Sequence, residues 1–205
     1  MHVLTRAAIA LTIAACGTAG LASTAYAEKV VHNDAQGDVV SRTWDDEAGT
    51  SVTTPAPEET DGDILRTAVD HRARKVVLTV KYAELRRVDP VMHFVALTTN
   101  ESFERLVIVI PTTENPQGKV NFTNGGGSNL RCFGLERHID YTANTLRLEI
   151  PRTCLSAPRW VRAGFGGVRD HEVNGESMET FVDDANRVGT LGAVHPAYGV
   201  RVHRG

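Results

Sequence analysis

Residues 75–82 read KVVLTVKY, so Val76, Leu78, Val80 and Tyr82 alternate with Lys75, Val77, Thr79 and Lys81. A period of two is the mark of a β-strand with one face in the core and one in water. The run just before it, residues 64–69, has the same character, and His71, Arg72, Ala73 and Arg74 suit a hairpin connection. An antiparallel pair with one wet face is therefore expected, and Asp61-Gly62-Asp63 stands at its entrance.

The rest of the chain repeats this theme. The 18 glycines and 8 prolines bracket short apolar runs, and no run after the N-terminal segment carries a helical period. Strands are expected over residues 29–32 and 39–44, then an irregular loop over 49–62 with Pro55 and Pro57. Hairpins follow: 91–98 with 103–110, 119–123 with 129–133 around Asn124-Gly125-Gly126-Gly127-Ser128, and 138–141 with 145–150 around Ala143-Asn144. A further strand over 160–165 places Trp160 as a large core residue near Cys154, and residues 199–203 suit an edge strand. About ten to twelve short strands joined mostly by hairpins predict an all-β fold: a two-sheet antiparallel sandwich, jelly-roll-like, with a closed barrel as the competing arrangement.

Charge excludes one class of partner. The formal net charge is −3, and the basic residues are not clustered, so no nucleic-acid surface is expected. The acids gather early: residues 28–63 hold ten acids against Lys29 and Arg42. Residues 1–27 read as an export signal, with Arg6, an apolar and small-residue run, and Ala25-Tyr26-Ala27 before Glu28. One secreted domain over 28–205 is the expectation, with lipid anchoring through Cys16 of Ile13-Ala14-Ala15-Cys16 as the alternative. No later run is long and apolar enough for a membrane span, so none is expected in the mature chain. Either N-terminal fate leaves Cys132 and Cys154, which in an exported protein are expected to pair.

The residues most suited to chemistry are aspartates beside glycines: Asp34 and Asp38 around Gly37, Asp61 and Asp63 around Gly62, and the late pair Asp183 and Asp184. Calcium takes six to eight oxygen ligands, which carboxylates and turn carbonyls supply together. The same residues are also ordinary turn chemistry, and their spacing is not that of an EF-hand. Among the histidines no zinc spacing occurs; His71 reads as a surface or turn residue and His93 as a packed or hydrogen-bonded one. No nucleophile elbow is present, and Glu84, Glu104, Glu149 and Glu179 are the glutamates from which a hydrolytic carboxylate pair could be drawn.

Several segments together carry a resemblance: Asp34 to Val39 (DAQGDV), Gly62-Asp63-Ile64, Val69-Asp70-His71, and Ile150 to Arg162 with IPRTCL and PRWVR. They resemble a group of small secreted actinobacterial proteins to which no function is attached, over most of residues 28–184. The resemblance implies an exported β-sandwich with one disulfide and brings no catalytic residues; at the level of fold it is similar to carbohydrate-binding-module sandwiches, and fold does not give function. The expected function is that of a secreted, non-enzymatic binding module, calcium-stabilised, with a protein or glycan partner. The alternative is a secreted hydrolase acting on polysaccharide or peptidoglycan through a carboxylate pair. A glycan face would need exposed aromatic rings, for which Trp44 and Trp160 are the available tryptophans.

Overall fold

The computed structural model describes residues 28–45, 49–173, 177–187 and 195–205. The expectations for the export signal and Cys16 lie outside the described residues, as does the side chain of Trp44. The chain forms strands β1 (Glu28–Asn33), β2 (Val40–Asp45), β3 (Thr50–Pro55), β4 (Ile64–His71), β5 (Lys75–Tyr82), β6 (Met92–Thr99) and β7 (Glu104–Ile110). It continues with β8 (Lys119–Asn124), β9 (Glu136–Asp140), β10 (Thr145–Pro151), a single 3-10 turn at Arg152–Leu155, β11 (Trp160–Val173), β12 (Ser177–Asp184) and β13 (Val202–His203). No described helix is long and apolar enough to cross a membrane.

Two antiparallel sheets face one another. The smaller runs β1-β4-β5-β10-β9; the larger runs β3-β2-β12-β11-β6-β7-β8, with β13 added beside β11. The alternation over residues 75–82 is the register of the core. On β5, Val76, Leu78, Val80 and Tyr82 are buried, and they meet Leu97, Val107, Val109 and Phe165 of the larger sheet in one apolar cluster. The β4–β5 hairpin forms as expected, Val69 opposite Leu78 and Thr67 opposite Val80. Val77 departs from strict alternation and is buried on the outer face, between Asp70 and Glu149 of the flanking strands.

Four expectations need correction. The loop expected over 49–62 contains β3, paired along β2 from Val40↔Pro55 to Asp45↔Thr50. Its residues are mostly exposed, so solvent rather than a core explains the missing apolar signal. The strand expected at 129–133 is reduced to a single bridge, Thr123↔Asn129. Trp160 is only half-buried, at the end of β11 opposite His203 and beneath the Arg201 guanidinium; Leu155 is the fully buried side chain beside Cys154. His71 is fully buried rather than at the surface, its Nδ1 3.1 Å from the Val202 carbonyl oxygen.

Cys132 and Cys154 form the expected disulfide, with Cα atoms 5.4 Å apart. The bond fixes the irregular segment before β9 to the 3-10 turn after β10. Closing a loop of this length constrains the unfolded chain by on the order of 3 kcal/mol. The double replacement Cys132→Ser, Cys154→Ser is therefore expected to lower stability by about that amount in denaturant unfolding. An unchanged midpoint would mean that packing alone holds the two segments together.

Candidate metal centre

Three chain segments that are remote in sequence bring carboxylates to one end of the sandwich. Asp34 and Asp38 sit in the tight loop between β1 and β2, where Gly37 adopts a φ of +77°. Asp63 immediately precedes β4, following Gly62 at φ +93°, and Asp183 is the penultimate residue of β12. Both glycine positions are left-handed turns that side chains other than glycine rarely adopt.

The loops are tied together through these same carboxylates. The Gly37 N–H donates to Asp63 Oδ2 at 3.0 Å, and the Ile64 N–H donates to Asp183 Oδ2 at 2.6 Å. The second bond joins the larger sheet to the first residue of β4 in the smaller one. Asp34 is fixed by its own N–H, donated to the Leu65 carbonyl at 3.0 Å, and by the Ala35 N–H donating to its Oδ1 at 3.0 Å.

Once those bonds are made, five buried carboxylate oxygens remain without a hydrogen-bond partner: Asp34 Oδ2, both oxygens of Asp38, Asp63 Oδ1 and Asp183 Oδ1. Asp63 and Asp183 are 0% and 3% exposed. One oxygen each from Asp34, Asp38 and Asp183 lie within 4.8 Å of one another. None of these four aspartates forms an ion pair among the described residues.

Unpaired negative charge in a desolvated site drives the carboxyls toward their protonated form. Asp183 is raised to about 8 and Asp34 to about 7, in each case chiefly by burial and then by the neighbouring aspartates. Asp38 and Asp63 are raised for the same first cause. Beneath the cluster, the buried Tyr82 hydroxyl shares a 2.8 Å hydrogen bond with His93 Nδ1, and Asp183 adds to the burial that raises the Tyr82 phenol. His93 is held down to about 3 by burial, so the ring stays neutral and offers the cluster no counter-charge.

A divalent cation would supply the counter-charge these carboxylates lack. Calcium–oxygen distances of about 2.3–2.6 Å put opposed ligands about 5 Å apart, which accommodates the 4.8 Å spread of the three oxygens. An all-oxygen, anionic donor set suits a hard cation rather than zinc or copper.

The other two aspartates singled out by sequence are turned elsewhere. Asp61 Oδ1 accepts the Arg86 N–H at 3.2 Å, and its Oδ2 lies 3.8 Å from Arg169 Nε. Arg169 in turn donates to Glu59 at 2.5 Å and lies over the Phe181 ring. Asp61 therefore belongs to a charge-paired cluster of its own, although burial still lifts it to about 6. Asp184, one residue from Asp183 and so on the opposite side of β12, holds the C-terminal segment: it accepts the Asn186 and Ala197 N–H groups at 3.1 and 2.9 Å and lies 3.5 Å from Arg187.

The glutamates do not converge. Glu84 is bound by Arg86 and Thr60, and Glu149 by Lys75 and Arg147; these partners hold both carboxyls below the usual range. Glu104 and Glu179 lie on the larger sheet, on β7 and β12. Comparisons with protein-family models, with curated proteins and with solved structures find no match.

Proposed function

We propose that this chain is a secreted, non-enzymatic β-sandwich binding module whose fold is clamped by one calcium ion, with Asp34, Asp38 and Asp183 as ligands and Asp63 supporting them. The observation that carries the reading is the convergence of buried, unpartnered carboxylate oxygens from the β1–β2 loop, the start of β4 and the end of β12. A buried polar atom left unpaired costs about 1–3 kcal/mol, more when charged, so five at one place favour a bound cation. The ion would tie both sheets together at this end, which makes it structural. Catalysis finds less support: a general acid needs a raised pKa, whereas Glu84 and Glu149 are lowered by their cationic partners.

The reading is tested by calorimetric titration of the metal-free mature chain from Glu28 with calcium at pH 8. One ion per chain is expected, with magnesium binding weakly because its short bonds demand a tighter octahedron. Titration to millimolar calcium with no binding heat and no protection against unfolding would return these aspartates to turn chemistry.

A further inference from the structure

The smaller sheet ends in β1, and among the described residues no strand pairs with its outer edge. In an antiparallel ladder, successive residues point their N–H and C=O groups to opposite sides. The Asp34 N–H reaches the Leu65 carbonyl, so His32 and Val30 also face β4, and Lys29, Val31 and Asn33 face outward. No hydrogen bond to the backbone of those three residues from outside the ladder occurs among the described residues.

Along this free edge runs a groove of about 730 Å³, between β1 and the C-terminal segment that leads into β13. Its floor is apolar, with Val69, Ala163 and Phe165, and its rim carries His32, Arg162 and Arg201. Val31 and Val200, two of the exposed large apolar side chains, also line it. The other face of the same edge carries more basic than acidic groups: Lys29, Arg66 and Lys81 line a second, smaller depression of about 350 Å³, and Asp70, opposite Lys29 on that face, is paired with Arg72 at 2.7 Å.

We infer that the β1 edge is a docking site for an extended peptide segment of a partner protein, one that alternates apolar and acidic residues and adds to the smaller sheet as a further strand. The edge supplies unpaired backbone groups at every second residue, which is what strand addition uses. Side chains of an added strand alternate between the two faces, so one set enters the apolar groove while the other lies over Lys29, Arg66 and Lys81. Positive charge on both flanks selects the acidic partner and speeds its encounter. This deepens the binding-module reading by naming the partner class, and it uses no cation ligand.

The probe is a heptapeptide alternating glutamate and valine, titrated onto the mature chain and followed by fluorescence anisotropy and by the amide resonances of Lys29, Val31 and Asn33. Saturable binding is expected, at least tenfold tighter than for the lysine–valine counterpart. Methylating alternate amides of the peptide should cost at least tenfold for one of the two methylation patterns and little for the other. Val31→Pro removes an outward N–H and should abolish binding while leaving the unfolding midpoint in place. Should that variant misfold, the methylated peptides still decide the matter on the native chain. Equal binding of both methylated peptides, absence of binding at millimolar peptide, or perturbation of the groove by chitohexaose in place of the peptide would each overturn the inference. Running the titration in calcium and again in chelator separates the two claims: loss of peptide binding alone, with calcium protection intact, removes only the edge site.

Discussion

Replacing Asp183 by Asn is expected to shift stability in opposite directions according to whether calcium is present. At pH 8 in chelator, the wild-type carboxyl is about half ionised, a buried partial charge with one oxygen unpartnered, so Asp183→Asn should raise the unfolding midpoint. The amide oxygen of Asn can still accept the Ile64 N–H, so the link between the sheets survives. With calcium a thousandfold above its dissociation constant, the wild type gains about 4 kcal/mol, whereas the variant should gain little. In a domain of this size each kcal/mol moves the midpoint by roughly 2–4 °C, so the order of the two proteins should reverse between the two buffers. A variant less stable than wild type in both buffers would assign Asp183 a purely architectural role.

The second large effect is a pH dependence whose sign calcium inverts. Asp34 and Asp183 have folded pKa values of about 7 and about 8, above their unfolded values near 3.8. The metal-free native state therefore holds more protons than the unfolded chain across this interval, and stability falls as pH rises through it. His71 and His93 work the other way, because both are lowered by burial and the unfolded chain takes up their protons below about 6.5. Their opposition fades between about pH 6.5 and 7.5. A net loss of about 2 kcal/mol is expected between pH 6.5 and 8 in chelator. In saturating calcium the same carboxylates are held ionised, and stability should rise over the interval because protons compete with the ion. Parallel pH curves in the two buffers would contradict the assignment of these carboxylates to a cation.

Much of this architecture is legible in the chain wherever one face of a strand is dry. Val76, Leu78, Val80 and Tyr82 on β5 announce their register because the larger sheet covers them, and Leu146, Leu148 and Ile150 on β10 do the same. Legibility fails where water or covalent chemistry takes over: β3 is solvated, and the segment 129–133 pairs with β8 only at its start, before the Cys132–Cys154 bond ties it to the 3-10 turn. Trp160 misleads because size is no guarantee of burial at a strand end, where an Arg201 guanidinium can cover the ring instead.

At the carboxylate cluster, composition names the aspartates but topology selects among them. Asp183 and Asp184 are indistinguishable as letters, yet the two-residue period of β12 sends one toward Asp34 and Asp38 and the other to the Ala197 N–H. Asp61 and Asp63 flank one glycine, and only the partner across the fold, Arg169 or the Gly37 N–H, separates their environments. Such information lies in strand order, which short-range pattern does not carry. Both members of the Tyr82–His93 pair have a sequence signal, Tyr82 on the apolar side of its strand and His93 among apolar neighbours as a packed or hydrogen-bonded residue, but pattern does not show that the two meet.

The most direct measurement is thermal unfolding of the oxidised chain from Glu28 to Gly205 at pH 8, in calcium and then in excess chelator. Calcium a hundredfold above its dissociation constant should raise the midpoint by roughly 5–10 °C, and chelator should reverse the rise. Identical midpoints in the two buffers, with the disulfide intact, would contradict a cation clamp at Asp34, Asp38 and Asp183.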